Sequence, residues 1–437
     1  MKVFKLTAII FFGFLAQGVQ ALEVTLDDLL KASKNHPDLK KSELQINKAQ
    51  NNYLKISGEF GPQITLMSGL GPNKKTSGNA LNSTQSNNVD TTTFLGKIDL
   101  KWPIFQFNRS QELNEANKNF VQIKEIELRQ KTLELEKNAK QYFYGYQYAY
   151  TLLDFVTAVE SDILKAIESM EKNKKNSSED VLKLKIFLAV ISAKKAEVEA
   201  GLNKATLGLR DILQFHNGEE IKLAEPWLAF DQDSFNDLAW WKEQFQLNNP
   251  ELQMSQKALL ARTNFQNAEE KSKLPMFGIF SSYEYLKTPG STKQSSKFSY
   301  DPYHKNDFSI GVGLLWEFDF GKTNSQIKDA MIETELAKID QNRAQKGLPL
   351  LLEKNFLDYK EAYDKAKSLR NAYKDSKKLL TRFQTEAAFG INSSANFIKD
   401  YVEAYTLRAS IFKDFQEAVY NFELKKSELY YFSGITK

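Results

Sequence analysis

The sequence predicts a mixed α/β membrane protein, mostly α, made by tandem duplication of one unit, and three observations predict it. The first is a stretch of strict alternation that runs into a very long helix: Phe308, Ile310, Val312, Leu314 and Trp316 alternate with Ser309, Gly311, Gly313 and Leu315, and after Phe320-Gly321 the period becomes helical for about 65 residues. At ~1.5 Å per residue such a helix reaches roughly 100 Å, far beyond a globular core of this size. The second is an internal repeat. Asn35-His36-Pro37-Asp38-Leu39 returns as Asn248-Asn249-Pro250-Glu251-Leu252, Pro62 as Pro275, Leu100-Lys101-Trp102 as Leu314-Leu315-Trp316, Phe107-Asn108-Arg109 as Phe320-Gly321-Lys322, and Asn176-Ser177-Ser178 as Asn392-Ser393-Ser394, all in order. The third is the absence of any later apolar run of ~18 residues, so a membrane can be crossed only by strands.

Taken in order, residues 1–21 carry Lys2 and Lys5, an apolar run from Leu6 to Leu15 and small residues at Val19 and Ala21, the pattern of a cleavable signal peptide. Repeat 1 is predicted over 22–218. Its first helix spans 25–57 with Leu26, Leu29, Leu30, Leu39 and Leu44 on one stripe, and Gly58, Gly61 and Pro62 stop it. A hairpin follows over 62–103: a strand at 63–70, a polar loop, and a strand at 91–103. In the second strand Phe94, Gly96, Ile98, Leu100 and Trp102 face one way, while Leu95, Lys97, Asp99 and Lys101 face the other. That alternation suits a wall between lipid and water, and it also suits an ordinary half-buried antiparallel strand. A helix over 106–172 carries Tyr142, Phe143, Tyr144, Tyr146, Tyr148 and Tyr150, read as interhelical packing. A tip turn at 173–178 leads to a helix over 178–215, with Ser178 as its N-cap.

After a linker at 219–233, repeat 2 (234–437) retells the plan. Its first helix spans 234–271, its hairpin 275–317, its long helix 322–388, its tip turn 389–393 and its last helix 393–433. In the third strand Phe277, Ile279, Tyr283 and Tyr285 share a face. Gly347-Leu348-Pro349 interrupts the long helix and predicts a kink or local unwinding, since an interior proline removes a hydrogen bond at a cost of ~3 kcal/mol.

Charge and composition exclude several classes. A net charge of +4 spread over 59 basic and 55 acidic residues is no nucleic-acid footprint. The chain contains no Cys, hence neither disulfides nor a lipidated cysteine. His36, His216 and His304 are scattered over a helix start, a helix end and a loop, and no nucleophile motif, metal spacing or phosphate loop accompanies them, so neither an enzyme nor a cofactor is expected.

Four strands cannot close a barrel, so several copies must share one. Two copies give eight strands whose side chains fill the lumen; three give twelve and leave a passage.

These features resemble the TolC-type outer-membrane efflux proteins over the whole mature chain. The resemblance rests on Ala32, Asn35, Pro37 and Leu39, on Asn249-Pro250 with Leu252, on Pro62 and Leu274-Pro275, on Trp102-Pro103-Ile104-Phe105 and Phe318-Asp319-Phe320-Gly321, and on Gly390 with Ser393. It implies a homotrimer with a shared twelve-stranded β-barrel in the outer membrane and a periplasmic α-helical barrel. It also implies work beside a periplasmic adaptor and an inner-membrane transporter, exporting drugs, small molecules or proteins as an efflux or type I secretion duct. By the same resemblance the lipid-facing positions are Phe94, Ile98, Trp102, Phe277, Ile279, Phe308, Ile310, Val312 and Trp316. The constricted periplasmic tip falls on Asp180, Asn396, Lys399 and Asp400, where Asn396 and Lys399 stand at positions commonly acidic in the family. The adaptor contact falls on Lys174, Lys175, Gly390 and Ser393, and a solvated charge run accounts equally well for the lysines. A periplasmic coiled-coil adaptor or scaffold without a pore is the alternative, and the duplicated apolar strand face argues against it.

Overall fold

The computed structural model describes residues 22–75, 89–172, 178–215, 221–231, 235–289, 298, 301, 303–388 and 397–436. The leader at 1–21 and the turn residues at 173–177 and 389–396 lie outside them. The order is β1 (Leu22–Val24), α1 (Leu26–Ser33), α2 (Pro37–Glu59), β2 (Gln63–Lys75), β3 (Val89–Phe105), α3 (Arg109–Lys172) and α4 (Ser178–Leu213). Then come β4 (Ile221–Leu223), α5 (Leu238–Asn248), α6 (Pro250–Lys271), β5 (Met276–Lys287), β6 (His304–Leu315), α7 (Lys322–Ala388) and α8 (Phe397–Ser433). Each half therefore reads short strand, broken helix, hairpin, very long helix, helix.

The helices expected over 25–57 and 234–271 are each two. Pro37 opens α2 and Pro250 opens α6, and the residue before a proline is driven out of the helical region. Proline is at home as the first helical residue, so the same sequence that ends one helix starts the next. Thr25 begins the first with a reciprocal cap: its hydroxyl accepts from the Asp28 amide (3.2 Å), and the Asp28 carboxylate accepts from the Thr25 amide (3.1 Å). Asp237 caps α5 by accepting from the Trp240 amide (2.9 Å). The three-residue strands β1 and β4 pair in parallel, joining the starts of the two halves.

The unwinding expected at Pro349 does not occur. α7 is helical through it for 67 residues. The lost hydrogen bond is a local cost, and Leu352 and Phe356 are buried one and two turns on.

The chain divides into two compact units. One holds Met1–Lys40, Arg129–Asn249 and Pro349–Lys437; the other holds Lys41–Leu128 and Pro250–Leu348. The first is a helical unit with an aromatic core. Phe235 stacks on Tyr359 (5.0 Å), Tyr359 on Phe422 (5.2 Å) and Phe245 on Phe432 (5.6 Å), while Trp241 meets Tyr430 edge-on (5.1 Å). A second cluster, with Ile163, Leu184, Leu380 and Tyr405 at its centre, ties α3, α4, α7 and α8 together. Gly208 of α4 lies so close to the Tyr142 ring that a Cβ would sit 2.3 Å from it. Of the tyrosines between 142 and 150, Tyr146 stacks on Tyr150 (6.1 Å) and Tyr148 on Tyr420 (5.3 Å).

The second unit contains the sheet, in the order β2-β3-β5-β6, antiparallel throughout. Its helices meet by polar contacts: Lys271 with Glu112 (2.7 Å), Arg262 with Glu333 (3.1 Å), and Ser57, whose hydroxyl donates to Asn114 (2.8 Å). The Lys271 hydrogen bond holds the Glu112 carboxyl below the usual carboxylate range.

Candidate functional site

The sheet sorts its side chains by alternation, and the register carries the sorting across all four strands. One row sets Leu66 against Ile98, Ile98 against Tyr283 and Tyr283 against Phe308; the next sets Ile64, Leu100, Ser281 and Ile310 in line. Of the positions expected to face lipid, Phe94, Ile98, Trp102, Phe277, Ile279, Phe308, Ile310 and Val312 share this face. Trp316 lies one residue past the end of β6. The face is open: Leu66 is 73% exposed and Val312 86%. Ile64, Leu66 and Leu70 of β2 belong to it as well. Their alternation lies within the strand expected at 63–70, for which no lipid-facing position is expected from the sequence alone.

The other face is polar and internally paired. Lys97 meets Asp99 (2.9 Å), the Ser282 hydroxyl donates to Asp99 (2.8 Å), and Lys305 meets Glu284 (3.4 Å). Cross-strand neighbours on this face include Lys97 with Glu284 and Thr65 with Asp99. Gly278 sits where a Cβ would meet the Trp102 carbonyl oxygen at 2.7 Å, next to the register shift between Pro103 and Phe105. β2 and β6 are the outer strands, and each has a neighbour on one side only.

Both strand-to-helix junctions turn through left-handed backbone. Phe107 and Asn108 have φ of 50° and 64°, and Phe320 and Gly321 have 49° and 140°. For the non-glycine residues this costs of order 1–2 kcal/mol each. Asp319 accepts from the Gly321 amide (3.3 Å) and the Thr323 amide (2.9 Å), fixing the start of α7.

At the predicted tip, Asp180 lies in the first turn of α4. Lys399 and Asp400 lie exposed in the first turn of α8, where Lys399 approaches Glu403 (3.9 Å). Asn396, Lys174, Lys175, Gly390 and Ser393 are outside the described residues. In the helical unit α3, α4 and α8 line an apolar groove of about 720 Å³, with Tyr148, Phe155, Phe187 and Ile191 on its walls. Among the described residues no acidic or histidine cluster is arranged to hold a metal. No described helix is long and apolar enough to cross a membrane.

An open sheet with one apolar and one polar face, in a chain that also forms helices of 64 and 67 residues, is a combination that solved structures share. CusC, described through its folding and transmembrane channel formation, superposes with a TM-score of 0.76 at 14% identity, over 95% of this chain and 93% of its own. The outer-membrane channel CmeC of Campylobacter jejuni gives 0.72 at 13% identity, over 94% and 85%. The outer-membrane protein VceC of Vibrio cholerae gives 0.73 at 12% identity, over 94% and 96%. Residues 29–176 match the family model of outer membrane efflux proteins. The chain has the TolC-type outer-membrane channel fold. No curated protein matches it in sequence. Within the TolC-type fold the sheet corresponds to the β domain, and α3, α4, α7 and α8 to the long helices.

Proposed function

We propose that the chain is one protomer of a trimeric exit duct in the outer membrane. The observation that carries this is the four-stranded sheet with one apolar face, one polar face and both edges open. Strand directions alternate across it, so β6 of one copy meets β2 of the next antiparallel, and the ring closes without an unpaired edge. Two copies would give a barrel filled by its own side chains; three give twelve strands and a lumen. The apolar face meets lipid, and the face bearing Lys97, Asp99, Glu284 and Lys305 lines the water path.

The duct is passive in this reading, and the long helices continue it into the periplasm. A periplasmic adaptor and an inner-membrane transporter deliver the cargo, which is drugs, small molecules or proteins. Asp180, Asn396, Lys399 and Asp400 form the gate at the tip, and Lys174, Lys175, Gly390 and Ser393 the adaptor contact. Single-channel conductance in planar bilayers tests this, with wild type beside Asp180→Ala and Lys399→Ala and with crosslinking to count subunits. A trimer with discrete openings that both substitutions alter is the expected result. A monomer or dimer that leaves the bilayer silent overturns the duct and favours a periplasmic scaffold.

A further inference from the structure

The two strand-to-helix junctions share their left-handed turn and differ in the residue that opens it. At the second, Asp319 is fully engaged: its carboxylate accepts from the Gly321 amide (3.3 Å), from the Thr323 amide (2.9 Å) and from the Thr323 hydroxyl. At the first, Gln106 precedes Phe107 as Asp319 precedes Phe320. Its side-chain nitrogen donates to Met276 Sδ (3.4 Å), while its side-chain oxygen is shut off from bulk water and has no hydrogen-bond partner. Arg109 Nε, three residues on, is in the same condition. Buried polar atoms are rarely left so, and here an acceptor and a donor stand idle together.

Both side chains line one cavity of about 210 Å³ at the helix end of β3 and β5, and Lys101, Lys271 and Glu317 share its wall. Lys101 continues the polar row of Lys97 and Asp99, so the cavity lies on the polar side of the sheet. The two other carboxylates nearby are already held: Glu112 by Lys271 (2.7 Å) and Asn267 (3.3 Å), and Glu269 by Arg109 (3.8 Å). The wall thus carries three cations and one carboxylate, Glu317. A lysine ammonium has three donors, and Glu112 takes one of those on Lys271. The residue that answers Lys101 in the second half is Leu315, which lies on the same wall and carries no charge.

We infer that this cavity binds an oxyanion that also carries a hydroxyl: hydrogen phosphate or a hydroxycarboxylate. Lys101, Arg109 and Lys271 donate to the charged oxygens, and the hydroxyl of the guest donates to Gln106 Oε1. The N–H···S bond that holds the Gln106 amide is weak, so the side chain turns toward the guest at small cost. An anion without a hydroxyl cannot answer that oxygen and leaves it buried against negative charge. The site stands on its own geometry. That it opens on the water path, and there favours one class of cargo, rests on the reading of the sheet as a duct wall.

Isothermal titration calorimetry of the detergent-solubilised full chain at neutral pH tests the site, with inorganic phosphate beside sulfate and lactate beside propanoate. The hydroxyl-bearing member should bind about tenfold tighter in at least one pair, since sulfate and propanoate have no proton to give Gln106. A preference in the first pair alone assigns phosphate, and in the second alone a hydroxycarboxylate. Gln106→Leu should abolish the preference while both members still bind. Lys101 and Glu317 are exposed, so their variants keep the fold, read as an unchanged far-ultraviolet circular dichroism spectrum. Lys101→Gln should weaken binding severalfold, and Glu317→Gln should tighten it. Equal affinities within both pairs, or no heat of binding for any of the anions, overturn the site. A chain that conducts in bilayers yet fails this titration keeps the duct and loses the site. One that passes it yet leaves the bilayer silent loses the duct and keeps the site.

Discussion

Both units of this chain expose apolar side chains, such as Ile186 and Leu350 in one and Ile64 and Val312 in the other, but only one of them also buries large ones in number. In the helical unit Trp241, Phe245, Tyr359, Tyr405 and Phe422 are fully buried, and even ionisable groups are: Glu136, Lys140, Glu423 and Lys426 all lie inside, with Glu423 and Lys426 3.8 Å apart. In the unit that carries the sheet, the buried apolar side chains among the described residues are Ala49, Leu113, Ala116, Ala268, Ile327 and Ala330. The large apolar residues there, from Ile64 to Phe320, are on the outside. One unit has a core of its own. The other leaves its apolar surface open and needs a different medium to cover it.

Four substitutions would break or sharpen this contrast. The largest effect is expected from Phe422→Ala, which removes a ring buried between Tyr359 and Phe230. It should destabilise the helical unit by ~3–5 kcal/mol, read as the loss of a near-ultraviolet circular dichroism transition at lower temperature. Oxygen accessibility of a spin label introduced by V312C in the reconstituted chain should stay as it is. Val312→Arg should cost ~2–4 kcal/mol in a bilayer and almost nothing in detergent-free water, read by urea titration of the reconstituted and the unreconstituted chain. Equal costs in both media would erase the distinction between the units.

Thr25→Ala removes the hydroxyl of the reciprocal cap on α1 and should lower stability by ~1 kcal/mol, with hydrogen exchange rising first at the Asp28 amide. The smallest effect is expected from Glu136→Gln. Burial pushes the Glu136 carboxyl above its usual range, and Lys140 and Lys34 offset that only in part. Between the ordinary glutamate value, ~4.3, and the raised one, the folded chain holds more protons than the unfolded chain. Stability therefore falls as pH rises through that window. The Gln variant should melt slightly above wild type at neutral pH, and the gain should vanish below pH ~4. A gain that persists there would show that packing, rather than ionisation, is responsible.

The sequence made the duplicated order and the strand faces legible for a physical reason. Alternation at 91–103 and 307–316 has a period that survives without knowledge of neighbours, as do the prolines and glycines that bound each element. Other features depended on contacts no local pattern displays. β1 and β4 are three residues each, too short for a period to register, and they exist because they pair with each other. Pro37 and Pro250 mark repeated helix starts in the sequence, yet apolar residues on both sides of each suggest one helix where the structure has two. At Pro349 the structure answers one half of the expectation, since α7 stays helical through the proline and Leu352 and Phe356 beyond it are buried, which no local pattern displays. Trp316 stands in the alternating run, while the outward course of Phe320 goes with a left-handed φ that spacing does not reveal.

The outer strands also have a consequence in time. β2 and β6 offer 13 and 12 residues of backbone whose outer groups await a partner. A lone copy in water can satisfy them with any passing strand, including one from an unrelated nascent chain. If copies share one barrel as proposed, the useful lifetime of each is set by a race between meeting another copy and being captured by something else. Subunit concentration during biogenesis tilts that race, because closing the ring takes more than one encounter while capture takes one. Escorts that shield an edge until insertion would lengthen the interval in which assembly can win.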